Sequence, residues 1–185
     1  MLEARAQYAQ AWAALNLGEM DDALKFTKES LATYAALGDR NGQANMLRNL
    51  GTVSLMQGDL SGALGHYRDA LKLARQVGNR YSEGAVINQI ASALERQGRH
   101  KEALEEYQKS GTIMREIGNR FAESIVVNNI ANILWTQGDL QTAQKMYMQV
   151  TTITEELGDK SGNADAAINM AHIHLQQGDL KSAKA

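Results

Sequence analysis

The chain has 185 residues, with 19 Lys and Arg against 21 Asp and Glu, and no cysteine or proline. This near-neutral balance argues against electrostatic capture of DNA, RNA or an anionic membrane as its main work. Without cysteine there is no disulfide frame, thiolate chemistry or zinc–cysteine site. The lack of cysteine fits a reducing compartment, so a cytoplasmic setting is expected.

No signal peptide is expected, since Glu3 and Arg5 sit near the N-terminus and no long apolar run follows. The longest uncharged stretch, Ser124 to Gly138, holds three asparagines and is too short and polar to cross a bilayer. The absence of proline removes the strongest helix breaker.

Glycine recurs every twenty residues, at Gly18, Gly38, Gly58, Gly78, Gly98, Gly118, Gly138, Gly158 and Gly178. A turn repeated at a fixed interval marks a stack of like supersecondary units. Two turn types alternate. Gly58, Gly138 and Gly178 read Gln-Gly-Asp-Leu, whereas Gly38, Gly78, Gly118 and Gly158 read apolar-Gly-Asp/Asn-Arg/Lys. The period is therefore forty residues, with two elements in each repeat.

Between the glycines, apolar residues recur at spacings of three and four. In one segment Val86, Ile87, Ile90, Ala91, Ala93 and Leu94 share a broad face, and Asn88, Gln89, Ser92, Glu95 and Arg96 fall largely elsewhere. That is helical periodicity. Glycine suits the left-handed backbone at a helix C-terminus. The Asp or Asn after most of these glycines can cap the next helix. The pattern predicts helices at 2–17, 20–37, 41–57, 60–77, 81–97, 100–117, 121–137, 140–157 and 161–177, with a tenth starting near Leu180.

Stacking the repeats gives each position a task. Ala23, Ala63, Ala103, Ala143 and Ala183 recur early in every second helix, where a small side chain implies close approach of two backbones. Tyr67, Tyr107 and Tyr147 recur four residues on, with Thr27 in their place in the first repeat. Their rings are expected between paired helices. Ser30, Ala70, Ser110 and Val150 form another compact column, and Leu37, Val77, Ile117 and Leu157 close each second helix.

The run Asn49-Leu50-Gly51, Gly58-Asp59-Leu60, Ala63, Tyr67, Ala70 resembles the tetratricopeptide repeat. The usual repeat of about 34 residues ends in proline. Here six more residues lengthen the helices, as in the forty-residue variants of Leu-Gly-Asn spindle-orientation adaptors and kinesin light chains. Many bacterial signalling proteins carry similar arrays. Departures are local: Ala91, Ala131 and Ala171 stand where Gly51 matches the family glycine, and the first helix has Gln10-Ala11 there. The resemblance implies an all-α, right-handed superhelical solenoid of antiparallel helix pairs. It would be a single domain over residues 1–185, about four and a half repeats at roughly 1–40, 41–80, 81–120, 121–160 and a truncated 161–185.

It also implies a concave groove lined by the first helix of each repeat, with an extended or helical peptide as guest. Carried over by position, the groove residues are Asn45, Arg48, Asn49, Thr52, Ala85, Asn88, Gln89, Ser92, Ile125, Asn128, Asn129, Asn132, Asp165, Asn169 and His172. The column Asn49, Gln89, Asn129, Asn169 is the sharpest signal. A carboxamide both donates and accepts, so a ladder of them can pair with successive peptide amides. The same amides can instead bond neighbouring helices. The family clamp on a C-terminal carboxylate needs clustered lysines, and only Arg48 stands at a suitable position.

Trp135 faces the groove side in this register, either as an anchor for an apolar ligand side chain or as packing between helices. Trp12, in the terminal repeat, is expected to pack. His172 and His174, two apart on a helix, point about 200° from each other and cannot share an ion. Glu105-Glu106 and Glu155-Glu156 read as solvated charges, and Gly-Asn-Arg at 78–80 and 118–120 reads as turn and cap chemistry. No catalytic residue, cofactor or metal is expected.

The reading is thus a protein-interaction module that binds a peptide or partner protein. The alternatives are a peptide-sensing regulatory domain of a larger bacterial signalling protein, or a self-assembly element. The chain stops inside the fifth repeat, which leaves Met170, Ile173 and Leu175 short of partners. Weak homodimerisation through that end is expected.

Overall fold

A computed structural model describes residues 2–176 and Gly178. The expected tenth helix and Ala183 lie outside the described residues. Among these residues every element is a helix: α1 Leu2–Leu17, α2 Met20–Ala36, α3 Arg40–Met56, α4 Leu60–Gln76, α5 Arg80–Arg96, α6 His100–Glu116, α7 Arg120–Thr136, α8 Leu140–Leu157 and α9 Lys160–Gln176. The fold is an all-α helical repeat. Odd-numbered helices are the first of each repeat and even-numbered ones the second.

The expected boundaries differ by one residue at several ends. Leu37 and Gln57 are C-caps rather than last helical residues, and Arg40 and Arg80 already begin helices. The cause is the joint itself. At Gly58, φ is +81°, a conformation that a Cβ would strain. Gly58 N donates to Leu55 O at 3.2 Å and Asp59 N donates to Ser54 O at 2.9 Å, the doubled bond of a Schellman end. Asp59 then opens the next helix, its Oδ1 accepting from Gly62 N at 2.8 Å. Asp39, Asn79, Asn119, Asp139 and Asp159 cap in the same way. Glu19 makes no side-chain cap bond.

The helices form two compact units, Met1–Arg99 and His100–Ala185. In the first, α1 to α5 each pack on the next in chain order; in the second, α6 to α9 do so. Joints of two or three residues favour antiparallel neighbours within each unit. The first unit has one cluster of Ala4, Tyr34 and Met46, with Tyr8 and Leu31 against it, and another of Ala14, Ala23 and Val53. The second buries Ala131, Ala143, Tyr147 and Ile173 together, with Leu134, Trp135 and Met170 packed on them.

The alanine column does what its size suggests: Ala23, Ala63, Ala103 and Ala143 are fully buried. So are Thr27, Tyr67 and Tyr147, with Tyr107 almost so. The Tyr67 ring lies so close to Gly51 that a Cβ there would overlap its Cε1 and Cδ1 atoms. In the second unit Ala131 takes the glycine's place and packs in the same cluster as Tyr147. Ile173, expected to lack partners, is fully buried, because α8 and the end of α7 cover it. Leu175 is exposed and Met170 partly covered.

This packing predicts unequal costs for two nearby leucines. Ala103→Leu overpacks a closed contact and should cost about 1–3 kcal/mol, whereas Lys101→Leu changes an exposed position on the same helix. Thermal melts of both variants check this. Equal melting temperatures would show that the alanine column does not mark a close contact.

Candidate functional site

The joints place each register position on the same face of every first helix. In the first unit this face carries Asn45, Arg48, Asn49 and Thr52 on α3, and Ala85, Asn88, Gln89 and Ser92 on α5. All are half-buried except Asn49, which is only 8% exposed. Asn49 is thus turned into the structure, and its Nδ2 is buried without a hydrogen-bond partner. It is no open rung of a peptide ladder. Thr52 Oγ1 donates to Arg48 O at 3.2 Å and lies 3.3 Å from the Tyr67 hydroxyl, one of the two donating to the other. Burial pushes the Tyr67 phenol up, against the opposing pull of the Thr52 hydrogen bond and of Arg48 and Arg96.

The second unit carries Ile125, Asn128, Asn129, Asn132 and Trp135 on α7, and Asp165, Asn169 and His172 on α9. Asn132 is committed to the fold, since the Tyr147 hydroxyl donates to its Oδ1 at 2.6 Å. Burial pushes the Tyr147 phenol up to about 12, so this donor keeps its proton through the neutral range. Asn129 and Asn169 are half-buried. The four-amide column is therefore not uniform: the helix pairs draw on these residues to different depths, which the sequence pattern does not distinguish.

Trp135 is settled by contacts. Its Nε1 donates to Gln176 Oε1 at 3.0 Å, and its ring stacks on His172 with centroids 5.9 Å apart and planes 13° from parallel. It joins α7 to α9 rather than standing open to a guest. Trp12 departs from expectation in the opposite sense. It is 60% exposed, because its register on α1 faces away from the Ala14–Ala23–Val53 cluster. His174 lies toward α8, its Nε2 3.5 Å from Gln144 Nε2, so the two histidines serve different neighbours.

What the inner face of the second unit does offer is a cavity of about 310 Å³. Phe121, Ser124, Ile125 and Asn128 of α7 form one wall, Val150 and Thr154 of α8 the floor, and Asp159, Ser161, Gly162 and Asp165 the wall at the start of α9. Phe121 and Ile125 are 56% and 42% exposed, unusually open for such side chains. Asn128 Oδ1 is buried without a hydrogen-bond partner. Three of the residues carried over by position, Ile125, Asn128 and Asp165, meet here. Phe121, Val150, Thr154 and Ser161 were not anticipated. Phe121 follows the Gly-Asn-Arg turn, and an aromatic at the repeated position Tyr81/Phe121 was the available signal.

The same turns hold a second feature the pattern did not suggest. Glu123 is fully buried, yet Arg115 Nε and Arg120 Nη1 reach its two oxygens at 2.8 and 2.6 Å. Arg120 Nη2 also donates to Glu156 at 2.8 Å. In the first unit Glu83 is held likewise, by Arg75 at 2.9 Å and Arg80 at 2.7 Å. Gly-Asn-Arg is thus not turn chemistry alone: its arginine anchors a carboxylate three residues on. Burial pushes Glu83 up, but the two arginine hydrogen bonds outweigh it and hold the carboxyl below its ordinary value.

Comparison with known proteins gives a consistent fold. The family described as the MalT-like TPR region matches residues 3–185. No curated protein matches the sequence. Among solved structures, BtubC (BKLC) from P. vanneervenii aligns with a TM-score of 0.83 at 18% identity, covering 96% of this chain and 74% of that one. A Rap protein complexed with competence and sporulation factor aligns at 0.84 and 16%, over 100% of this chain and 52% of that one. A signal-transduction ATPase with a tetratricopeptide repeat sensor, from Pyrococcus horikoshii, aligns at 0.87 and 17%, over 97% and 28%. The chain therefore spans only about half or less of the last two.

The carboxylate clusters generate a paired prediction. Glu123→Gln should destabilise by about 1–3 kcal/mol, more than Glu83→Gln, whose side chain retains 12% exposure. A carboxyl with a depressed folded pKa stabilises the fold above its unfolded value, and that stability goes as pH falls through the folded one. Denaturant unfolding of Glu83→Gln should accordingly show a shallower loss of stability below the ordinary carboxylate range. An acid limb identical to that of the parent chain would refute the assignment.

Proposed function

The chain belongs to the MalT-like TPR region family, and from that premise we propose that it is a protein-interaction module. Its guest is an extended peptide segment of a partner protein, held on the first-helix face, and the chain has no catalysis of its own. The observation that carries this reading is the open cavity at Phe121 and Ile125. Apolar side chains left exposed beside a concavity favour a guest that brings its own apolar surface. The half-buried amide of Asn169 on α9 can supply a donor and an acceptor of the kind that a peptide backbone needs.

The Rap likeness supports a bound guest, since that protein is complexed with competence and sporulation factor. The sensor of the P. horikoshii ATPase favours a regulatory form of the same binding, in which the guest changes the arrangement of the repeats. Small-angle scattering separates the two forms: a sensor compacts when peptide is added, and a plain adaptor does not.

Selection of a random displayed peptide library on the immobilised chain tests the proposal. Selected peptides should lose about tenfold or more in affinity to Ile125→Asp, and little to Met148→Asp, a more exposed apolar position on α8 outside the cavity lining. Asn129→Ala should weaken two unrelated peptides alike, by about 1–2 kcal/mol in calorimetry. Peptides that bind Ile125→Asp as well as the parent would remove the site from this cavity.

A further inference from the structure

The cavity between α7 and α9 has a preference finer than its apolar walls, and that preference rests on the peptide-binding reading above. Two of its three hydroxyls, those of Ser124 and Thr154, donate inside the protein. Ser124 Oγ donates to Phe121 O at 2.8 Å. Thr154 Oγ1 donates toward the Val150 and Thr151 carbonyls, each at 3.0 Å. The positive end of α9 is likewise answered, because Asp159 Oδ1 accepts from Gly162 N at 3.0 Å.

The acceptors that remain are the Asn128 Oδ1 and the Asp165 carboxylate, beside the exposed Ser161 hydroxyl. Asp165 is exposed, with no ion-pair partner among the described residues. No cation lines the cavity. Lys160 begins α9 but is not part of the lining, and the Arg120 guanidinium beside Phe121 is taken up by Glu123 and Glu156. The cavity thus combines an open aromatic ring, an aliphatic wall and an unanswered carboxylate.

We propose that this cavity takes a basic side chain of the bound peptide, arginine in preference to lysine. The chemistry is complementary part by part. An arginine stem is apolar and covers Ile125 and Val150. Its guanidinium carries only donors, which match the Asp165 carboxylate and the unpaired Asn128 Oδ1. The guanidinium plane stacks on an exposed ring such as Phe121, which an ammonium does less well. Its charge faces Asp165.

The test is the same library selection, run on the parent chain and on Asp165→Asn, an exposed substitution whose folding is checked by its melting curve. Peptides enriched on the parent should share arginine or lysine at one position, and that enrichment should fall on Asp165→Asn. A selected peptide and its citrulline counterpart, of the same shape without the charge, should differ about tenfold in affinity for the parent and bind Asp165→Asn nearly alike.

Enriched peptides without a shared basic position overturn the inference and leave peptide binding standing. So does a citrulline peptide that binds as well as the arginine one. A basic preference unchanged in Asp165→Asn also overturns it, because the charge would then be read elsewhere. A library that yields no binder at all overturns both readings.

Discussion

The described chain depends on a joint of two or three residues that closes one helix and opens the next. Glycine at positive φ lets the backbone double back, and the Asp or Asn beside it takes an amide of the following helix. Within each unit a joint this short holds successive helices side by side and antiparallel. Its recurrence every twenty residues also keeps the register. Residues forty apart therefore occupy equivalent places, and a single column of small or aromatic residues can serve each repeat in turn.

The first consequence is the lock between a small residue and a tyrosine. Tyr67 fits because Gly51 has no Cβ, and Tyr147 lies with Ala131 and Ala143 in one cluster. A buried phenol needs a partner, because an unpaired polar group in the interior is costly. Thr52 meets that need for Tyr67, and Asn132 for Tyr147. Both sit on the face that would otherwise be free for a guest. Part of that polar surface thus belongs to the helix pair itself.

The second consequence concerns charge. Glu123 is buried but saturated by two arginines whose own side chains reach solvent. That geometry avoids an isolated buried charge while tying the end of α6 to the start of α7. It also commits Arg120, leaving the cavity beside Phe121 without a cation. The acidity of that cavity comes as much from where arginine is held as from where aspartate lies.

Among the described residues, the nine helices, their ends to within a residue, most capping residues and the buried alanine and tyrosine columns were legible in the sequence. Each is decided locally or by a strict repeat, and glycine spacing with apolar periodicity records both. The first-helix face was legible as a set of positions, but what each residue does there was not. Asn49, Asn129 and Asn132 look alike in the pattern, yet Asn49 is buried and Asn132 bonds a tyrosine fifteen residues away. Trp12, expected to pack, is exposed, and of the two readings open for Trp135 its contacts are those of packing between helices. Only tertiary packing decides which side chain a neighbouring helix covers. Periodicity fixes the direction of a side chain from its own helix axis, but not the depth to which the next helix buries it.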